Sequence, residues 1–139
     1  MFFPCYPDAR RKVMEKKQIS TDKAPQPAGP YSQVITYGDF IFVAGQRPAD
    51  PETNEIVEGG IKEQTEQVIK NLSAALEAAG SSLADVVSSR VFLSDIGNFD
   101  AMNSVYEKMF PKPYPVRTTV SCTLRNILVE IDVIAIRRS

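Results

Sequence analysis

The chain contains no histidine. This removes the commonest general base, the usual zinc ligand and every serine–histidine or cysteine–histidine nucleophile pair. Two cysteines, Cys5 and Cys122, are too few for a disulfide framework and lack metal-ligand spacing. They read as reduced thiols in a cytosol-like compartment, which gives a cytoplasmic expectation. Charge of one sign is also missing: 16 Lys and Arg against 17 Asp and Glu leave a net charge of -1. Composition therefore offers no general attraction to nucleic acid or a membrane surface. No apolar run approaches the length of a membrane span. Catalysis, if present, is left to carboxylates, Arg, Lys, Tyr, hydroxyls, backbone amides or a thiol.

What remains suits one domain. The length is 139 residues and 43% are hydrophobic, enough for a core. Residues 1–13 differ in character from the rest of the chain and are expected to be an N-terminal extension, flexible or peripheral, ahead of a domain over 14–139. Arg10, Arg11 and Lys12 give it a basic character, but Pro4, Pro7 and Asp8 weaken a targeting reading.

Gln18-Ile19-Ser20 reads as a short strand. Pro25, Pro27 and Pro30 stiffen the loop that leads to Tyr31. Ser32 to Tyr37 and Phe40 to Gly45 form a hairpin about Gly38-Asp39. Ile61, Thr65, Val68, Leu72, Ala75, Leu76 and Ala79 lie on one helical stripe, which Gly80 ends. A short turn at 83–85 precedes a strand over Val86–Leu93. Asn98 is placed to cap a second helix over Phe99–Phe110, with Met102, Val105, Tyr106 and Met109 inward. Two more strands come after Pro115. The order β-β-β-α-β-α-β-β argues for α+β: a mixed sheet with both helices on one face. The last strand is apolar on both parities apart from Glu130 and Asp132, so the other sheet face is expected to be covered by oligomerisation.

That tail is also the chemical signal. Arg117 opens one apolar segment in Pro115-Val116-Arg117-Thr118-Thr119-Val120, and Glu130 sits within another, Val129-Glu130-Ile131. A guanidinium is a two-pronged clamp for a carboxylate, and an acid on a rigid strand can hold or activate water. Together they suggest a site for a small organic acid and chemistry that uses water. The alternative is a structural ion pair of Arg117 with Glu130 or Asp132. Cys122 reads as an inert core residue.

From Lys17 to Arg138 the chain resembles the Rid (YjgF, or L-PSP) family of imine and enamine deaminases. The segments that carry the resemblance include Gly29-Pro30-Tyr31-Ser32-Gln33, Ala44-Gly45-Gln46, Val91-Phe92-Leu93-Ser94-Asp95, Phe99-Asp100-Ala101-Met102-Asn103, Tyr106 and the two tail segments. The resemblance implies a chorismate-mutase-like α+β fold packed as a homotrimer, with sites in the clefts between subunits. It implies 2-iminobutanoate/2-iminopropanoate deaminase activity, in which 2-aminoacrylate-type enamines and imines are hydrolysed to 2-keto acids and ammonia, without metal or cofactor. Arg117 would hold the substrate carboxylate and Glu130 would orient or deprotonate the water. Tyr31, Gly45, Asn103 and Thr119 would contact substrate, each with a plainer packing or backbone role as the alternative.

Four features depart from the family pattern. Ala44 replaces a common hydroxyl residue, and Thr119 a common cysteine. Arg47 stands where an apolar residue is usual, and a second cation there would favour a more acidic substrate. The interval from Arg117 to Glu130 is shorter than usual, with Leu124-Arg125-Asn126 in place of a Leu-Pro turn, which puts the register of Glu130 in question. The competing functions are a non-catalytic regulatory protein that binds a 2-imino or 2-keto acid and, with little support from composition, an endoribonuclease or translation inhibitor.

Overall fold

The computed structural model describes residues 14–138. The expected extension over 1–13, and Cys5 within it, lie outside the described residues. Six strands form one mixed sheet: β1 (Lys16–Ile19), β2 (Val34–Tyr37), β3 (Phe40–Gln46), β4 (Val86–Leu93), β5 (Val116–Ser121) and β6 (Val129–Ile136). Their order across the sheet is β1-β2-β3-β6-β4-β5. Only the β4–β5 pair is parallel, and α2 (Phe99–Met109) crosses over to connect it. The other long helix, α1 (Ile61–Ala78), packs on β3 and β6 and lies beside α2. The α+β reading, with two helices on one face, therefore holds.

Each element arises from local chemistry. Gly38, at φ +60°, turns the two-residue β2–β3 hairpin closed by the Tyr37–Phe40 pair. On α1 the predicted stripe is inward: Thr65, Val68, Leu72, Ala75 and Leu76 are all fully buried. Gly80, at φ +80°, ends that helix, and the Gly80 and Ser81 amides donate back to Glu77 and Leu76. The α2 entrance differs from expectation. Asn98 precedes the helix but makes no side-chain cap; the Asp95 carboxylate accepts from the Gly97 amide one turn earlier. Asp95 thus caps the short turn over 96–98 that leads into α2, whose own N-cap position is held by Asn98.

Strand alternation divides the sheet. Val129, Ile131, Val133 and Ala135 of β6 are buried under the helices, together with Ile41, Val43, Val91 and Leu93. Each buried Leu or Ile contributes roughly 1.5–3 kcal/mol by leaving water. The opposite parity points away from the helices and carries Phe40, Phe42, Val116 and Val120, all exposed. Cys122 is exposed just beyond β5 rather than in the core. The apolar alternation has ended by that point, so the thiol has no core to enter.

Buried amides fasten the loops to this body. The Gln33 side chain donates to the carbonyls of Thr21, Ala24 and Pro25 and accepts from the Thr21 amide, holding the proline-rich loop in place. Replacing it strands these backbone groups at a buried position. Gln33→Ala is expected to lower unfolding stability by about 2–4 kcal/mol in urea titration; a loss under ~0.5 kcal/mol would contradict this role.

Candidate active site

The functional residues fall into two groups on opposite faces of the sheet. Arg117 on β5 pairs in register with Ser89 on β4, and Ser89 with the core residue Val133 on β6. Directly paired residues show their side chains on the same face, so Arg117 lies on the helix side. Glu130 pairs with Phe92, and Phe92 with Val120, on the face away from the helices. β4 also runs between the two strands. A single chain thus does not bring Arg117 and Glu130 into one crevice, and the structural ion pair between them is absent too.

The Arg117 group is built by β5 and α2. The guanidinium lies 4.7 Å from the Tyr106 ring centroid and 5.6 Å from that of Phe99. Phe99, Asn103 and Tyr106 share a helical face that looks onto the edge strand. The two rings seat the cation, and its N–H donors make no hydrogen bond among the described residues. Among the described residues Arg117 has no carboxylate partner, whereas Arg90 is paired with Asp132 and Arg138 with Asp85. Tyr106 in turn stacks on Phe110 at 4.2 Å.

A recess of about 360 Å³ opens beside Arg117, lined by Asn103, Tyr106, Glu107, Tyr114 and Pro115. Asn103 therefore lines the same recess as Arg117. Thr119 comes two residues along the same face, and its buried Oγ1 has no hydrogen-bond partner among the described residues; the same is true of Ser89 Oγ and the Tyr106 hydroxyl. Burial pushes the Tyr106 phenol above its ordinary range, against the opposing pull of nearby Ser89 and Arg117. No hydrogen-bond geometry joins Ser89 to that phenol, so three polar oxygens remain unpaired around one cation.

The Glu130 group is built by a bulge. Val43 pairs with Val133 and Gln46 with Ile131, so β3 holds an extra residue and neither Ala44 nor Gly45 has a partner in β6. A Cβ on Gly45 would come 3.0 Å from Glu130 Cδ, so the glycine makes room for the carboxyl. Tyr31, Gly45, Phe92 and Glu130 line a common recess of about 350 Å³. Tyr31 is exposed there, and its hydroxyl accepts from the Ala28 amide at 3.0 Å. Burial, and then the Asp132 charge, hold the Glu130 carboxyl above the ordinary glutamate range. Asp132 itself is engaged by Arg90, at 2.9 and 2.7 Å. It therefore has a structural role, with Arg90 rather than Arg117 as its partner, and also raises the proton affinity of Glu130.

With the shortened loop, Glu130 pairs with Phe92 and faces away from the helices. The buried amide of Gln64 on α1 accepts from the Leu128 N–H at 2.8 Å and sets the start of β6. Arg47 lines a different recess from Gly45, one that also holds Arg125 and shares Glu130 with the first. Another recess, about 670 Å³, spreads over the open sheet face around the Arg90–Asp132 pair. Its charges are already matched, so it is a covered-surface candidate rather than a reactive one. Sequence reasoning missed Arg125 and the aromatic seat of Arg117. The spacing of Phe99 and Tyr106, two helical turns apart, was the available signal for the seat.

Comparison with known proteins agrees with this architecture. Residues 21–137 match the family model described as Endoribonuclease L-PSP. A RutC family protein of Pyrococcus abyssi is 52% identical over 124 residues, 88% of this chain and 98% of that protein. A 2-iminobutanoate/2-iminopropanoate deaminase of Dermatophagoides farinae is 38% identical, over 87% of this chain and 96% of that protein. The crystal structure of E. coli TdcF with bound serine superposes with a TM-score of 0.83 at 34% identity, over 88% of this chain and 99% of that one. With the model spanning nearly all described residues and relatives matched along their length, the chain belongs to the Rid (YjgF/L-PSP) family.

Proposed function

We propose that the protein is a cofactor-free deaminase that hydrolyses 2-iminopropanoate, 2-iminobutanoate and their enamine tautomers to 2-keto acids and ammonia. The observation that carries the reading is Arg117: a guanidinium oriented by two rings, beside a recess, with no carboxylate partner among the described residues. A cation seated this way is matched to a ligand carboxylate. The Dermatophagoides relative, named for this activity, and the serine in TdcF support a small amino-acid-like ligand. The absence of histidine and the net charge of -1 favour this over the ribonuclease in the family model's name.

Because the two groups lie on opposite faces, the complete site is assembled from two copies. The exposed apolar face bearing Phe40, Phe42, Val116 and Val120 supports burial between subunits of a homotrimer. Strand β5 is a sheet edge, so it can bring Arg117 to the rim where a neighbouring copy presents Glu130.

These placements set the chemistry. Arg117 holds the substrate carboxylate and withdraws charge from the adjacent imine carbon. Ionised Glu130 takes a proton from water as the water oxygen bonds to that carbon, and the C=N electrons move onto nitrogen. Protonated Glu130 then delivers its proton to nitrogen; the carboxylate takes the proton of the new hydroxyl and passes it to nitrogen as well, so the C–N bond breaks, NH3 leaves and the hydroxyl oxygen becomes the keto oxygen. An imine hydrolyses in water without help, so positioning and charge stabilisation supply the modest acceleration required.

Arg117→Ala is expected to lower kcat/KM for enzymatically generated 2-iminopropanoate by about 100-fold or more, with the oligomer unchanged by light scattering. Normal turnover would refute the assignment, and keto-acid binding without turnover in the unaltered protein would select a regulatory binder instead. Glu130 acts as base only when ionised, and its environment retains the proton. The rate should therefore rise with pH along an acid limb centred above the ordinary glutamate value of ~4.3, and Glu130→Gln should remove that limb. A limb at the ordinary value, or one that survives the substitution, would contradict this role.

A further inference from the structure

We propose that the recess holding Arg47 and Arg125 is a second carboxylate site, which selects 2-imino acids whose side chain itself ends in a carboxylate. This rests on the deaminase reading, because it assigns the substrate class of the same site. The recess measures about 610 Å³ and is lined by Arg47, Arg125, Ile56, Asn126, Ile127 and Glu130, among others. Glu130 also borders the Gly45 recess, so its carboxyl stands where the two meet. A substrate with its imine carbon at Glu130 can extend its side chain toward the two arginines.

Neither guanidinium is neutralised. Among the described residues Arg47 donates only to the neutral Asn54 amide oxygen, and Arg125 forms no ion pair. Both are nonetheless held by backbone. Asn71 on α1 donates at 3.0 Å to the Arg47 carbonyl and at 2.9 Å to that of Ala49. The loop carrying Arg125 is pinned by the Cys122 amide on the Leu93 carbonyl and the Ser94 amide on the Leu128 carbonyl, with Asn126 turned at φ +59°. A methyl side chain would leave both cations facing water; a carboxylate would pair with them in the bidentate geometry that guanidinium favours. The hydrolysis itself is unchanged.

The test compares 2-iminoglutarate with 2-iminopropanoate, each generated in place by an amino acid oxidase from glutamate or alanine. In the Arg47→Gln/Arg125→Gln protein the ratio of kcat/KM, dicarboxylate to monocarboxylate, should fall about 10-fold or more from the unaltered protein. Arg125→Gln alone, at an exposed position, should give a smaller fall and covers poor folding of the double variant. An unchanged ratio in either overturns the proposal. If the unaltered protein hydrolyses neither imine, the deaminase reading fails separately, and calorimetry with 2-oxoglutarate and 2-oxobutyrate decides the carboxylate site. Tighter 2-oxoglutarate binding that Arg125→Gln abolishes sustains it; equal binding of the two acids overturns it.

Discussion

A β-strand shows each side chain to one face of its sheet, and that rule governs the rest of this protein. On β6 the odd positions enter the core, so Glu130 must look the other way. On β5 the register with β4 turns Arg117 under α2. The two groups best suited to acid–base work and carboxylate capture are thereby separated by the sheet itself. The fold builds a wet, proton-retaining carboxyl on one side and an aromatic-seated cation on the other. Neither half has a complete set of groups for imine hydrolysis, and the apolar face that would join them to another copy is already formed.

Precision in each half comes from groups that perform no chemistry. Gln33, Gln64 and Asn71 are buried amides that tie, respectively, the Tyr31 loop, the start of β6 and the Arg47 segment to the body of the domain. Such amides are costly to bury without partners and hold loops firmly once paired. The bulge at Ala44-Gly45 adds the remaining adjustment by clearing space for Glu130.

Much of the fold was legible because periodicity reports one-sided burial. The Ile61–Ala79 stripe, the Gly38-Asp39 hairpin and the Val86–Leu93 strand all appear where the pattern placed them, to within a residue. Strand order and the bulge were not legible, since both depend on contacts between distant segments. Tyr106 read as a core aromatic and is one, but its ring also seats Arg117, and periodicity cannot separate those roles. Cys122 was misjudged by residue type, since local geometry left the thiol outside the core; Asn98 holds the N-cap position of α2 as placed, though its side chain makes no capping bond. At the site, Asn103 shares a recess with Arg117, and Gly45 and Tyr31 share one with Glu130. The separation of the two clusters comes from pairing register, which one sequence does not disclose.

The most direct test of a site shared between copies is complementation between two disabled proteins. Arg117→Ala and Glu130→Gln should each be strongly impaired alone. Unfolded together, refolded as mixed oligomers and assayed with 2-iminopropanoate, they should recover about a quarter of the unaltered activity, because random pairing rebuilds one intact site in every four or so. Mixed oligomers, verified by mass, that remain as impaired as either parent would show that Arg117 and Glu130 do not meet across an interface.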